Sequence, residues 1–209
     1  MNIVGQANRG APPADGTRAD GGSMEAELAR LRAQVAVLEA ERAALWWQTN
    51  HDELTGIANR RHLNAFGPAL VQRTGRCAVL ILDLNGFKLI NDRYGHAVGD
   101  DVLRIVATRL SQCVREDLAV RLSGDEFAAI LTASPAIGEA AQWPAAVDAI
   151  ATAIAEPMTV DEHRLTVTAS IGVATTDGEP ATITELIRRA DLAMYRAKAN
   201  RYCSNVVWN

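Results

Sequence analysis

Residues 121–131 read RLSGDEFAAIL, and the fold turns on why two adjacent carboxylates, Asp125 and Glu126, stand between two apolar runs. Residues 118–121 and 127–132 have the length and composition of short strands, and 123–126 between them is what a hairpin turn provides. Acids at the mouth of such a hairpin are either a solvated turn or a site. The rest of the chain decides between these.

Upstream, residues 77–82 (CAVLIL) form a short continuous apolar run that ends in Asp83, the pattern of a buried strand. Residues 98–113 carry Val102, Leu103, Ile105, Val106 and Leu110 at helical spacing. Downstream, 143–155 reads as a helix, 163–174 (HRLTVTASIGVA) as a β-branched strand, 183–198 as a helix and 205–208 as a closing strand. The expectation is an α+β domain over 51–209, with a largely antiparallel sheet flanked by helices. There is no internal repeat.

The region before this domain divides in two. Residues 1–23 are rich in Gly, Ala, Pro and Asp with little to bury, and are expected to be a disordered tail. Residues 24–50 form a helix, with Ser23 as N-cap. Met24, Leu28, Leu31, Val35, Leu38 and Leu45 follow the alternating four-and-three spacing of a heptad seam, interrupted by Arg42. The seam suits either a parallel coiled-coil stalk over 24–48 that makes a homodimer, or a helix lying on its own domain.

Composition narrows the class of partner. The chain has 209 residues, 48% of them hydrophobic, and a net charge of −4, so nothing draws it to nucleic acid or to an anionic membrane. Cys77, Cys113 and Cys203 have neither disulfide-framework nor metal-ligand spacing and suit a reducing cytoplasm. No apolar run reaches the roughly 18 residues of a membrane span, and the first residues lack the pattern of a signal peptide. The expected location is the cytoplasm.

The chemistry follows from placement. Asp83 ends one strand, and Asp125 with Glu126 sits at the turn of a hairpin expected beside it, so three carboxylates could converge at one sheet edge. Acids that close repel unless a cation lies among them, and hard oxygens of this kind suit Mg²⁺ held jointly with phosphate. After Asp83, the small residues and helix start of LNGFKLIND offer backbone N–H groups to phosphate, with Lys88 adding charge. Asn91 and Asp100 are of the type that hydrogen-bonds a purine edge. Lys198 and Arg201, three apart on one helical face, could clamp outer phosphates. Taken singly, each is an ordinary turn or wet helix face; together they spell nucleotide.

These stretches resemble the GGDEF-domain diguanylate cyclases. The resemblance is carried by DELTGIANRRHL (52–63), DLNGFKLINDRYGHAVGDDVL (83–103), RLSGDEF (121–127), VTASIGVA (167–174) and ADLAMYRAKANR (190–201), in the family's order. It implies a palm-like fold, similar to that of adenylyl and guanylyl cyclases, in which two GTP condense to cyclic di-GMP with release of two pyrophosphates. Metal ligands carried over are Asp83, the Leu84 carbonyl and Asp125, for two Mg²⁺ per active site with Mn²⁺ as a substitute. Glu126 would take part in metal or proton handling and Lys88 in catalysis at the phosphates. Asn91 and Asp100 would contact guanine. Gly86, Phe87, Gly124, Lys198 and Arg201 would line the phosphates.

Three departures stand out. Ser123 replaces a glycine of the signature, which costs backbone freedom and adds a hydroxyl. The family's product-binding RxxD is absent, since VRED places Val114 three residues before Asp117, so no high-affinity inhibitory site is expected. AKANR lacks the glycine of the family's AKxxGR, which shifts Arg201 by one position. Two rival readings are a catalytically weak or inactive module that binds GTP or a protein partner, and a cyclic di-GMP receptor. The second should retain RxxD and does not.

Overall fold

The computed structural model describes residues 18–74, 76–115, 117–133, 142–176, 181–199 and 205–208. The chain divides into two units, Met1–Trp46 and Trp47–Asn209. In the first, helix α1 begins at Arg18 and runs on to Asn50 in the second, about 50 Å at the usual rise per residue. Residues 1–17 of the expected tail lie outside the described residues, and the helix runs through Gly21 and Gly22, so Ser23 lies inside it and not at its cap. The seam residues Met24, Leu28, Leu31, Val35, Leu38 and Leu45 are all exposed. No described helix is long and apolar enough to cross a membrane.

The second unit is built around β2 (Cys77–Asn85), buried along its whole length except at Asn85. Around it are β1 (Ala58–Asn59), α2 (Arg60–Thr74), α3 (Phe87–Tyr94), α4 (His96–Val114), β3 (Leu118–Ser123) and β4 (Glu126–Thr132). There follow α5 (Gln142–Ala155), β5 (Met158–Val160), β6 (His163–Leu165), β7 (Thr168–Thr175), α6 (Ile183–Ala199) and β8 (Asn205–Trp208). The main sheet has the order β1-β3-β4-β2-β7-β8. Its four inner strands are antiparallel, while β1 and β8 pair in parallel at the edges. The expected largely antiparallel sheet is thus present, with parallel margins.

Both faces of β2 are covered, which is why its sequence is continuously apolar and not alternating. Leu80, Leu82 and Leu84 join Phe127 and Ile171 against α4 and α5. Val79 and Ile81 join Ile130 and Ala174 beneath α2 and α6. Cys77 belongs to the second layer, and burial pushes its thiol up to about 11; Cys113 is partly buried and Cys203 lies outside the described residues. Residues 163–174, expected as one strand, are two. β6 pairs with β5 in a separate two-stranded sheet, and only β7 joins the main one. β-branching favours extended backbone throughout the stretch but does not say which neighbour each half takes. The two-residue turn between β5 and β6 has Asp161 at φ 51, a conformation that aspartate tolerates better than most residues.

Two contacts fix the end of β2 at which the acids lie. Ile81 pairs with Gly172, and Asp83 pairs with Glu126 on one side and Ser170 on the other. A Cβ on Gly172 would overlap the backbone of Ala190 and Met194. Glycine thus lets α6 lie directly on the sheet, and Lys198, one turn past Met194 on the same face, reaches Asp83. The second contact joins residues far apart in the chain. Asp52 accepts hydrogen bonds from the Thr55 N–H at 2.9 Å and hydroxyl at 2.6 Å, and from Arg121 Nη1 at 2.8 Å. Burial raises the Asp52 pKa, but the Thr55 and Arg121 hydrogen bonds outweigh it and hold the carboxyl below its usual value.

Replacing Gly172→Ala should lower the free energy of unfolding by about 1–3 kcal/mol through overpacking, read from urea denaturation. Asp52→Asn should cost about 2 kcal/mol at neutral pH. Because the folded-state pKa of Asp52 is lowered, its contribution is complete above the ordinary carboxylate pKa and is lost as pH falls through the lowered one. The gap between wild type and Asp52→Asn should therefore close below about pH 4, and a gap that persists there would show that the ionised carboxylate is not what matters.

Candidate nucleotide and metal site

Asp83, Leu84, Asp125 and Glu126 meet where the β3–β4 hairpin closes beside β2. The Leu84 N–H donates to the Asp125 carbonyl at 3.3 Å, extending the β2–β4 pairing into the turn. Gly124 takes φ 48, a left-handed conformation natural to glycine. Arg121 holds the turn from beneath, donating from Nε and Nη2 to the Gly124 carbonyl at 3.0 and 2.9 Å. Its remaining amino group is the one on Asp52. One guanidinium thus ties the start of the domain to the acid-bearing turn. Ser123 lies outside the positive-φ region, so the serine there carries no backbone penalty. Its hydroxyl donates to Glu126 Oε2 at 3.1 Å, and Arg60 Nη2 stands 3.9 Å from the same oxygen.

Asp83 and Glu126 have separate partners. Asp83 is buried, and its Oδ2 lies 2.7 Å from Lys198 Nζ. Two residues on, Asn85 donates to Thr168 Oγ1 at 3.0 Å and accepts from the buried Ser170 hydroxyl at 2.8 Å. Among the described residues, no three histidine, cysteine, aspartate or glutamate side chains gather closely enough to hold a metal ion by themselves. The expected convergence of three carboxylates is therefore a convergence of their strand positions. Two carboxylates and one backbone carbonyl, all hard oxygen donors, fit Mg²⁺ that takes its remaining ligands from phosphate and water.

Beyond Leu84 the chain turns through Gly86, at φ 71, into α3, whose N-terminus receives no side-chain cap. Lys88 is exposed on its first turn. Phe87 is buried in the core, so only its backbone can face a ligand. Asn91 near the end of α3 and Asp100 on α4 are half-buried. A Cβ on Gly99 would strike the Asn91 carboxamide, so that glycine lets the amide settle at the seam of the two helices, next to Asp100. Arg201 lies outside the described residues. At the RxxD position Val114 points into the core, and Asp117 accepts a hydrogen bond from the Thr132 hydroxyl at 2.7 Å.

The strand positions of Asp83, Asp125 and Glu126 were legible in the sequence. Arg121, Asp52, Arg60 and Ser170 were not. Asp52 and Thr55 have the spacing of an Asx turn, but nothing local says that an arginine 69 positions on completes it.

Comparison with known proteins agrees with this fold. The chain is 38% identical over 161 residues to the bifunctional diguanylate cyclase/cyclic di-GMP phosphodiesterase MucR of Pseudomonas aeruginosa, covering 73% of this chain and 23% of MucR. It is 39% identical over 156 residues to the response regulator PleD of Caulobacter vibrioides, covering 71% of this chain and 34% of PleD. The chain thus spans about a quarter to a third of these relatives. In three dimensions it is similar to the coiled coil and GGDEF domain of DgcB from Caulobacter crescentus, solved in complex with c-di-GMP. That likeness has TM-score 0.76 and 24% identity over 89% of this chain and 100% of that one, which speaks for the fold. Residues 49–202 match the family model described as diguanylate cyclase, GGDEF domain, and the chain belongs to the GGDEF family.

Proposed function

We propose that this protein condenses two GTP molecules into cyclic di-GMP and two pyrophosphates, as a cytoplasmic homodimer. The observation that carries the proposal is the pairing of the Asp83 end of β2 with the Asp125–Glu126 turn, beside the uncapped start of α3. The family match gives that geometry its substrate.

Asp100 and Asn91 offer a carboxylate and an amide to the Watson–Crick and amino edge of guanine. Backbone N–H groups at Gly86 and Phe87, with Lys88 and Lys198, hold the triphosphate by charge and hydrogen bonds. Asp83, the Leu84 carbonyl and Asp125 would hold two Mg²⁺, which neutralise phosphate charge and favour the ionised ribose 3′-oxygen. In each half-reaction a 3′-oxygen bonds to the α-phosphorus of the other GTP, and the bond from that phosphorus to pyrophosphate breaks. Glu126, hydrogen-bonded by Ser123 and near Arg60, is the group in reach for proton handling. The Ser123 hydroxyl orients this carboxylate, so the departure from the signature leaves the acids in place.

One domain offers one GTP site, so the two-fold product needs two copies face to face. The exposed apolar seam of α1 suits a parallel stalk that would raise the local concentration of the second domain. The buried Val114 at the RxxD position supports the absence of a tight inhibitory product site.

Incubating purified protein with GTP and Mg²⁺ should yield cyclic di-GMP by chromatography, and Asp125→Ala should lower the yield by about 100-fold or more. A well-folded dimer that makes none would favour the non-catalytic reading. The double variant Leu31→Glu, Leu38→Glu should lower turnover far more than it lowers binding of a GTP analogue; equal loss would contradict the stalk. Added cyclic di-GMP at micromolar concentration should leave the initial rate unchanged, and strong inhibition would reveal a product site built from other residues.

A further inference from the structure

The partner of Asp83 is unusual for a metal-binding carboxylate. Its side chain is only 10% exposed, and among the described residues the cation within ion-pair distance is Lys198 Nζ, 2.7 Å from Oδ2. A carboxylate this buried is costly unless a cation answers its charge. The other described neighbours are engaged elsewhere: the Ser170 hydroxyl, opposite Asp83 in β7, donates a hydrogen bond to Asn85, and Arg60 lies by Glu126. The lysine ammonium occupies Oδ2, one of the two oxygens through which Asp83 could ligate a divalent ion, and two cations on one carboxylate at contact distance repel each other strongly.

Lys198 can also leave. It is on the last turn of α6, and its side chain is 46% exposed. Its backbone is held by the close packing of α6 on Gly172, while the four-carbon stem rotates freely and carries a point charge without arginine's fixed fork. The uncapped start of α3 with exposed Lys88 lies just past Leu84, so a triphosphate seated there comes within reach of the same ammonium.

We propose that Lys198 is an exchangeable counter-ion: it neutralises Asp83 while the nucleotide site is empty and moves to the triphosphate when nucleotide binds, releasing Asp83 to the metal. The exchange rests on the function proposed above, both for the nucleotide and for Asp83 as a metal ligand. Metal binding without nucleotide is then opposed by the lysine, and nucleotide relieves the opposition. By thermodynamic reciprocity each ligand strengthens the other by the same factor. The device keeps the buried acid compensated at every stage and discourages the site from loading metal alone.

The test is Mn²⁺ binding to the full chain, followed by the electron paramagnetic resonance of free Mn²⁺, with and without a non-hydrolysable GTP analogue. Without nucleotide, Lys198→Met should bind Mn²⁺ on the order of tenfold more tightly than wild type, and adding Asp83→Asn should abolish the gain. The analogue should strengthen Mn²⁺ binding in wild type by a larger factor than in Lys198→Met. Thermal denaturation gives a second reading: Lys198→Met should melt lower than wild type without metal and be raised more by Mn²⁺. Lys198→Gln serves if the methionine variant folds poorly. Equal Mn²⁺ affinity of wild type and variant without nucleotide would overturn the exchange while leaving the cyclase reading intact. No Mn²⁺ binding to folded wild type or variant, even with the analogue, would overturn both.

Discussion

A charge at the end of a strand that is otherwise buried on both faces is the constraint from which the rest of this site follows. Leu80, Leu82 and Leu84 on one side and Val79 and Ile81 on the other leave β2 no contact with solvent until it reaches Asn85. Asp83 stands two residues before that point, still buried. An ionised group there requires a cation, and the fold supplies one by laying α6 against Gly172 so that its last turn overhangs the carboxylate. The same burial makes the acid useful. In a medium less polarisable than water, a carboxylate attracts a cation more firmly than it could on an open surface.

Strand β2 was legible because a strand covered on both faces has to be apolar at every position. The β3–β4 hairpin was legible because its turn carries glycine and acids between two apolar runs. Helices α4, α5 and α6 announced themselves by their apolar spacing. The parallel edges were legible only in part: β1 has two residues and leaves no periodicity to read, and 205–208 reads as a closing strand but states no direction of pairing. The division of 163–174 between two sheets was hidden for a related reason. Propensity describes a residue's own backbone, whereas sheet membership is decided by partners elsewhere in the chain.

Within the site, residue types were easier to foresee than residue partners. The neighbourhood of Asp83, Asp125 and Glu126 follows from strand order, whereas Asn91 and Asp100 stand on helices and were singled out by residue type. The arginine beneath the turn was not. Arg121 reads as an ordinary polar position on a short strand, yet its guanidinium holds the Gly124 carbonyl on one side and the Asp52 carboxylate on the other. Three donors in a rigid plane are what such a double attachment needs, and lysine could not make it. Ser123 shows the reverse case. The substitution looked like a loss of freedom at the turn, but the glycine that the turn needs is Gly124, and the serine instead becomes a donor to Glu126.

The margins of the main sheet have a consequence for solubility. Among the described strands, the outermost are β1, with two residues, and β8, with four, so few unpaired backbone groups are on offer at either side. Long open margins invite strands from neighbouring molecules and lead to fibrous aggregates. For the homodimer proposed above, brief margins of this sort leave the encounter of two copies to side-chain surfaces.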